Sequence, residues 1–178
     1  MASLILPLLT PEPALLETLA GCVPAVAEGL IRDALVTAPA RTEELDHLLD
    51  AAGCQFVPAH GSDWDHIRAA APHARSEWLI VIQPGWVPLS GWMGPVADFL
   101  AQNDPTQMGV ARLALRGSFP QRLAQQARGL LARLDRKTCP SGAILHRTML
   151  ATPQLLRQDR LDWTLADRRR RAQASSAS

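Results

Sequence analysis

The polar residue best placed for chemistry is Gln83, which directly follows a short apolar run. Residues 78–82 are all apolar, and Pro84 and Gly85 end the run abruptly. Such a run predicts a buried β-strand whose carboxyl end opens into a loop. Open α/β sheets bind their ligands at the carboxyl ends of their strands. We therefore expect a ligand or catalytic site near Gln83.

A second polar cluster contains His60, Asp63, Asp65 and His66, at the predicted start of a helix. Carboxylates and imidazoles are metal ligands, so this cluster raises the hypothesis of a metal site. The alternative, which we favour, is structural, because acidic residues at a helix start interact favourably with the helix dipole.

Other patterns exclude several kinds of chemistry. Ser141 and Gly142 do not belong to a G-x-S-x-G nucleophile motif. The sequence also contains no P-loop and no G-x-G-x-x-G fingerprint. His146 beside Arg147 could contact a phosphate group, but a lone histidine is more often a surface or structural residue.

The composition is that of a soluble globular protein with one domain. The chain has 178 residues, enough for a sizeable core. Because 18 Lys and Arg balance 17 Asp and Glu, no overall positive field predicts binding to nucleic acid. Cys22, Cys54 and Cys139 are odd in number and widely spaced, which argues against a disulfide scaffold and for a reducing compartment.

Localisation is predicted from both ends of the chain. The first residues lack a basic region, and their apolar run is too short for a signal peptide or a membrane span. We therefore expect a cytoplasmic protein. The arginine run at residues 168–171 leaves peripheral contact with an anionic inner membrane open, although a solvated helix end is the interpretation we favour.

Apolar runs alternate with helical repeats through the first half. Thr42 is a predicted helix cap and Gly53 a predicted helix end. This alternation predicts an α/β fold, a three-layer sandwich with a mostly parallel central sheet. The predicted strands are residues 4–9, 31–37, 54–58 and 78–82, and the predicted helices follow Thr10, Thr42 and Ser62 or Asp63.

The second half predicts further helices and two strands. Trp78, Trp86 and Trp92 are expected to be core anchors. A basic amphipathic helix at residues 119–134 is expected to cover the sheet rather than to bind a membrane. Residues 1–171 are expected to form one domain, with a disordered tail at 172–178. The other predicted elements are helices at 91–102, 148–156 and from Asp162, and strands at 108–115 and within 139–147.

Several short motifs follow one another in a characteristic order over nearly the whole chain. They are a strand ending in Pro7, Ala52-Gly53 at a helix end, Ser76-Glu77-Trp78-Leu79, Pro84-Gly85-Trp86, Ser141-Gly142-Ala143, and Asp162 before the arginine run. In this order they resemble the GT-A domain of family 2 glycosyltransferases, in a compact form. No single motif is specific to that family.

The resemblance implies a nucleotide-sugar donor, a glycan or lipid-linked acceptor, and a divalent cation, Mn or Mg. In the family, the central strand ends in Asp-x-Asp, whose carboxylates hold the cation that bridges the donor diphosphate. Gln83 stands there in this chain, and Thr37 stands where the family has a base-recognising aspartate. The donor-binding residues implied by the resemblance are Pro7, Thr37, Arg68, Gln83, Pro84, Gly85 and Gly142.

Asp162 matches the family's general base, which deprotonates the acceptor hydroxyl, but a helix-capping role explains it equally well. Two functions follow. The first is an inverting family-2-like glycosyltransferase with a bacterial envelope or exopolysaccharide acceptor. The second is a catalytically inactive GT-A-like binding or regulatory module. The order of motifs favours the first, and the missing carboxylates favour the second.

Overall fold

The computed structural model describes residues 1–8, 13–102, 111–113, 115–116 and 141–151. Several predictions lie outside these residues and stay predictions. They concern the cap Thr10, the helix at 119–134, the candidate base Asp162, the arginine run at 168–171, the domain boundary at 171 and the tail at 172–178.

The first half alternates strands and helices as predicted. Thr42 caps the second helix by accepting a hydrogen bond from the Leu45 amide, and Gly53 ends it in the left-handed conformation. Ser62 and Asp65 form a capping box at the start of the third helix. The elements are β1 (Ala2–Pro7), α1 (Pro13–Ala27), β2 (Ile31–Ala38), α2 (Glu43–Ala52), β3 (Gln55–Pro58), α3 (Asp63–Ala70), a short 3-10 helix (Ala71–His73) and β4 (Trp78–Val81).

The second half corrects two predictions. Its described elements are β5 (Val87–Pro88), α4 (Met93–Gln102), β6 (Ala111–Arg112), β7 (Leu115–Arg116), β8 (Ala143–His146) and α5 (Thr148–Ala151). Helix α4 begins at Met93 rather than Gly91, because Gly91 has a φ of 77°, outside the right-handed helical region. The single strand at 108–115 is wrong, because β6 pairs with β8 whereas β7 pairs with β5.

The main sheet has the strand order β3-β2-β1-β4-β8-β6. Strands β3, β2, β1 and β4 are parallel, and β8 runs antiparallel to both β4 and β6. The mostly parallel sheet is therefore confirmed. From β1 the chain moves outward to β3 and then returns to place β4 on the other side of β1, so the strand order reverses between β1 and β4.

Two apolar layers cover the two faces of the sheet. Along β1, Leu4 and Leu6 belong to the layer that also contains side chains of α1, α2 and α4, whereas Ile5 belongs to the layer that contains side chains of α3. The three-layer prediction is confirmed. Three buried tryptophans, Trp78, Trp86 and Trp92, lie in the first layer and confirm the prediction of core anchors.

No helix in the described ranges is long and apolar enough to cross a membrane.

Candidate functional site

The carboxyl ends of β1, β2 and β4 meet at one edge of the sheet. Pro7 pairs with Thr37 in the parallel register of β1 and β2. Strand β4 pairs with the opposite side of β1, and Gln83 follows it. The Gly142 amide donates to the Val81 carbonyl at 2.7 Å. Pro7, Thr37, Gln83 and Gly142 thus share the edge at which the strand order reverses, where α/β sheets bind ligands.

Gln83 is buried and held by two other segments of the chain. Its side-chain Nε2 donates to Oδ2 of Asp63, the first residue of α3, at 3.2 Å. Its backbone amide donates to the Ser141 hydroxyl at 2.9 Å. Both Gln83 and Asp63 are less than a tenth exposed. Gln83 therefore connects the end of β4 to α3 and to the turn before β8.

The loop after Gln83 is anchored on α1. The Trp86 amide donates to the Gln83 carbonyl at 3.1 Å, which closes a turn around Pro84 and Gly85. The Gly85 amide donates to the Thr18 hydroxyl at 2.9 Å and to a carbonyl in the first turn of α1 at 2.8 Å. The predicted residues Pro84 and Gly85 therefore belong to the same buried edge as Gln83.

Thr37 pairs with a histidine of α3. His66 Nδ1 lies 2.9 Å from the Thr37 hydroxyl, and both residues are fully buried. Burial lowers the pKa of His66 below its usual range, although Asp63 and Asp65 oppose that shift. The ring is therefore neutral at pH 7. Within the described part of the chain, His66 Nε2 is a buried nitrogen without a hydrogen-bond partner.

The lowered pKa of His66 predicts an acid sensitivity. As the pH falls below about 6.5, the unfolded chain takes up a proton at His66 while the folded protein does not, so the free energy of unfolding decreases. The decrease stops below the folded-state pKa. Chemical unfolding of the wild type and His66→Gln across this range should show a weaker pH dependence in the variant. Identical profiles for wild type and His66→Gln would contradict this prediction.

The structure does not support the hypothesis of a metal site at His60, Asp63, Asp65 and His66. Asp65 caps α3 with Ser62, whereas Asp63 accepts from Gln83 and His66 contacts Thr37. Within the described ranges, no group of three His, Cys, Asp or Glu side chains could hold a metal ion.

Arg68 lies apart from the other predicted donor-binding residues. It occupies the exposed side of α3, where it pairs with Asp65 at 3.5 Å. Its donor-binding role stays a prediction, and the sequence pattern alone did not distinguish this exposed side from the buried side.

His146 and Arg147 serve a structural role at the opposite end of the sheet. His146 pairs with Trp78, the first residue of β4, and its ring contacts Thr148 at 2.8 Å and Glu77 at 3.3 Å. Arg147 donates to backbone carbonyls of the segment before β4. His146 therefore does not contribute a phosphate contact at the edge that holds Gln83.

The two described cysteines are not candidate nucleophiles. Cys22 and Cys54 are free thiols. Burial raises the pKa of Cys22 to about 12 and that of Cys54 to about 11. Because the thiolate is the reactive form, both side chains are unreactive at neutral pH.

Sequence reasoning missed Asp63 and Ser141, which hold Gln83, and Thr18, which holds the loop after it. Asp63 follows a strand by a few residues, so parallel topology alone could have placed it at this edge of the sheet. Ser141 and Thr18 carry no such signal, because their positions depend on the antiparallel β8 and on the packing of α1.

We expect Ser141→Ala to lower the free energy of unfolding of the protein. The substitution leaves the buried Gln83 amide without its acceptor, which costs about 1–3 kcal/mol of unfolding free energy. Urea unfolding measures this loss. Ser90→Ala, at an exposed position, is the matched control and should change stability by less than about 0.5 kcal/mol. Equal effects of the two substitutions would contradict the structural role of Ser141.

The sheet with its helical layers has a GT-A-like α/β fold. Crystal structures of glucosyl-3-phosphoglycerate synthase from Mycobacterium tuberculosis share it. One, with Mn²⁺ and UDP-glucose, has a TM-score of 0.58 and 18% identity, and the match covers 84% of this chain and 57% of that chain. Another, with Mn²⁺, UDP and glucosyl-3-phosphoglycerate, has a TM-score of 0.55 and 16% identity, with the same coverage.

At these identities the likeness establishes the fold and not the activity. The chain spans little more than half of the length of these enzymes. No protein-family model matches the sequence, and no curated protein matches it.

Proposed function

We propose that this chain is a glycosyltransferase domain that binds a nucleotide-sugar donor at the edge formed by Pro7, Thr37, Gln83 and Gly142. One observation carries the proposal: Gln83 follows the strand at which the sheet order reverses, in a fold shared over 84% of the chain with an enzyme solved with UDP-glucose. Ligands of open α/β sheets bind at such reversals.

The finer parts of the proposal concern transfer. We propose a family-2-like enzyme, bacterial and cytoplasmic, that transfers the sugar to an envelope or polysaccharide acceptor. Asp162 would remove the proton of the acceptor hydroxyl, whose oxygen forms a bond to the anomeric carbon as the bond to the nucleoside diphosphate breaks. Direct displacement of this kind inverts the anomeric configuration.

A second candidate is a donor-binding or regulatory module without catalysis. The observation that favours it is the absence of a carboxylate at Gln83, whose side-chain amide donates to Asp63. Both candidates require donor binding, and only the first requires turnover.

Calorimetric titration with nucleoside diphosphates and nucleotide sugars, with and without manganese, tests the shared part. A saturable heat of binding with at least one of these ligands supports the proposal. The absence of binding to all of them contradicts it. A transfer assay then separates the candidates. In the enzyme, Asp162→Asn should lower turnover by about 10²–10⁴-fold with donor affinity retained, whereas Asp167→Asn should not.

Peripheral membrane contact through the arginine run is a separate part of the proposal. Flotation with anionic vesicles tests it. Binding that persists when residues 168–171 are replaced by glutamine would contradict this contact.

A further inference from the structure

We infer that the donor site works without a divalent cation, and that the side-chain pair of Gln83 and Asp63 occupies the position of a metal centre. This inference rests on the proposed function, because it concerns the same donor site. In this pair, the Gln83 carboxamide and the Asp63 carboxylate form a hydrogen bond with each other instead of binding a metal ion between them.

The residues at this edge do not fit a divalent cation. Mn²⁺ and Mg²⁺ prefer several oxygen ligands, of which carboxylates contribute the charge. Asp63 is the carboxylate whose hydrogen bond joins Gln83 here. In the part of the chain that the structure describes, the acidic and imidazole side chains form no group of three that could bind a metal ion.

The orientation of the Gln83 amide also disfavours a cation. Its Nε2 group faces Oδ2 of Asp63 at 3.2 Å. The NH₂ group is the donor of the Gln83 side-chain amide, and a carboxylate oxygen is an acceptor, so this orientation forms the hydrogen bond. An NH₂ group has no free lone pair for a cation, and here it partly balances the carboxylate charge in a buried environment. The Gln83 backbone, fixed by Ser141, keeps the pair in place.

The Gly85 amide and the amino end of α3 already have partners within the protein. The Gly85 amide donates to a carbonyl in the first turn of α1 and to the Thr18 hydroxyl, and Ser62 and Asp65 cap the amino end of α3, which Asp63 begins. The partial positive charge at the amino end of a helix stabilises a carboxylate there, so Asp63 is stabilised without a metal ion.

Gln83→Glu tests the inference by changing charge with little change of shape. It would place two buried carboxylates side by side, and their repulsion should lower Tm by roughly 5–10 °C in the presence of EDTA. Manganese should restore most of that loss, because the cation neutralises both groups. The wild type should show no manganese-dependent change in Tm.

Gln55→Glu is the matched control, since Gln55 is exposed on β3. It adds the same charge and should show no response to manganese. A wild type stabilised by manganese as strongly as Gln83→Glu would overturn the inference, and so would a folded Gln83→Glu protein that ignores manganese. If Gln83→Glu does not fold, electron paramagnetic resonance of Mn²⁺ added to the wild type and to Asp63→Asn shows whether either protein binds the ion. Spectra of unbound Mn²⁺ with both proteins support the inference, and Mn²⁺ binding by the wild type alone overturns it.

Titration of the wild type with UDP and GDP distinguishes failure of this inference from failure of the proposed function. If the affinity for UDP or GDP in EDTA agrees within about threefold with that in manganese, the result supports both the inference and the proposed function. An affinity that rises more than about tenfold with manganese overturns the inference and leaves the proposed function standing. No binding under either condition overturns the proposed function, while the manganese response of Gln83→Glu still tests the metal-free pair.

Discussion

Gly142→Ala is expected to lower the free energy of unfolding by about 2–5 kcal/mol, the combined cost of a left-handed backbone and of overpacking. Gly142 has a φ of 83°, and an added Cβ would lie 2.6 Å from the Leu113 carbonyl oxygen. That oxygen belongs to backbone, so it cannot move aside as a side chain does. The Gly142 amide donates to the Val81 carbonyl, and the Gly142 carbonyl accepts from the Leu113 amide. A displacement of Gly142 would therefore disturb both hydrogen bonds.

Gly53→Ala is the matched control for this prediction. Gly53 has a φ of 65°, but no atom lies within 4 Å of the place that an added Cβ would take. We expect it to cost about 1–2 kcal/mol, the backbone contribution alone. Urea unfolding of both variants separates crowding from backbone strain. A Gly142→Ala loss no larger than that of Gly53→Ala would contradict the close approach between Gly142 and Leu113.

Trp78→Ala is expected to cost about 3–5 kcal/mol, because it removes a large buried side chain from the central strand. The Trp78 ring lies 5.5 Å from the Phe99 ring of α4 and 5.1 Å from the His146 ring of β8, both with edge-to-face geometry. It therefore joins a covering helix and an antiparallel strand to β4. Thermal and urea unfolding measure the loss.

Trp78→Phe is the control, because it keeps an aromatic ring in the same place. We expect it to retain more than half of the stability that Trp78→Ala loses. Because Trp78 begins β4 and Gln83 follows its other end, nucleotide affinity of the folded Trp78→Phe protein should match the wild type. Equal losses from the two substitutions would show that the ring contacts contribute little.

The order of elements could be predicted because its signals are local. Thr42 and Gly53 mark the two ends of α2 within one short segment, and Ser62 does the same for the start of α3. The apolar run before Gln83 predicted a buried strand for the same reason. The split of residues 108–115 could not be predicted, because strands of two residues have no periodicity and pair with distant parts of the chain.

The candidate site was predicted at Gln83 but without its partners. Asp63 is twenty residues away in sequence, and its contact with Gln83 depends on the return of the chain to the far side of β1. The pairing of Thr37 with His66 depends on how α3 packs on β2. Side-chain contacts of this kind are set by three-dimensional packing, which no local pattern records.

We propose that a nucleoside diphosphate binds beside Gln83 without a metal ion. Amide correlation NMR of the isotopically labelled protein, titrated with UDP in EDTA, tests this binding at the residues concerned. We predict saturable shifts of the Gln83 side-chain NH₂ and the Gly85 backbone NH. The absence of shifts at saturating UDP would contradict the claim, as would shifts confined to the cavity of about 360 Å³ that Met1, Leu30 and Met93 help to line.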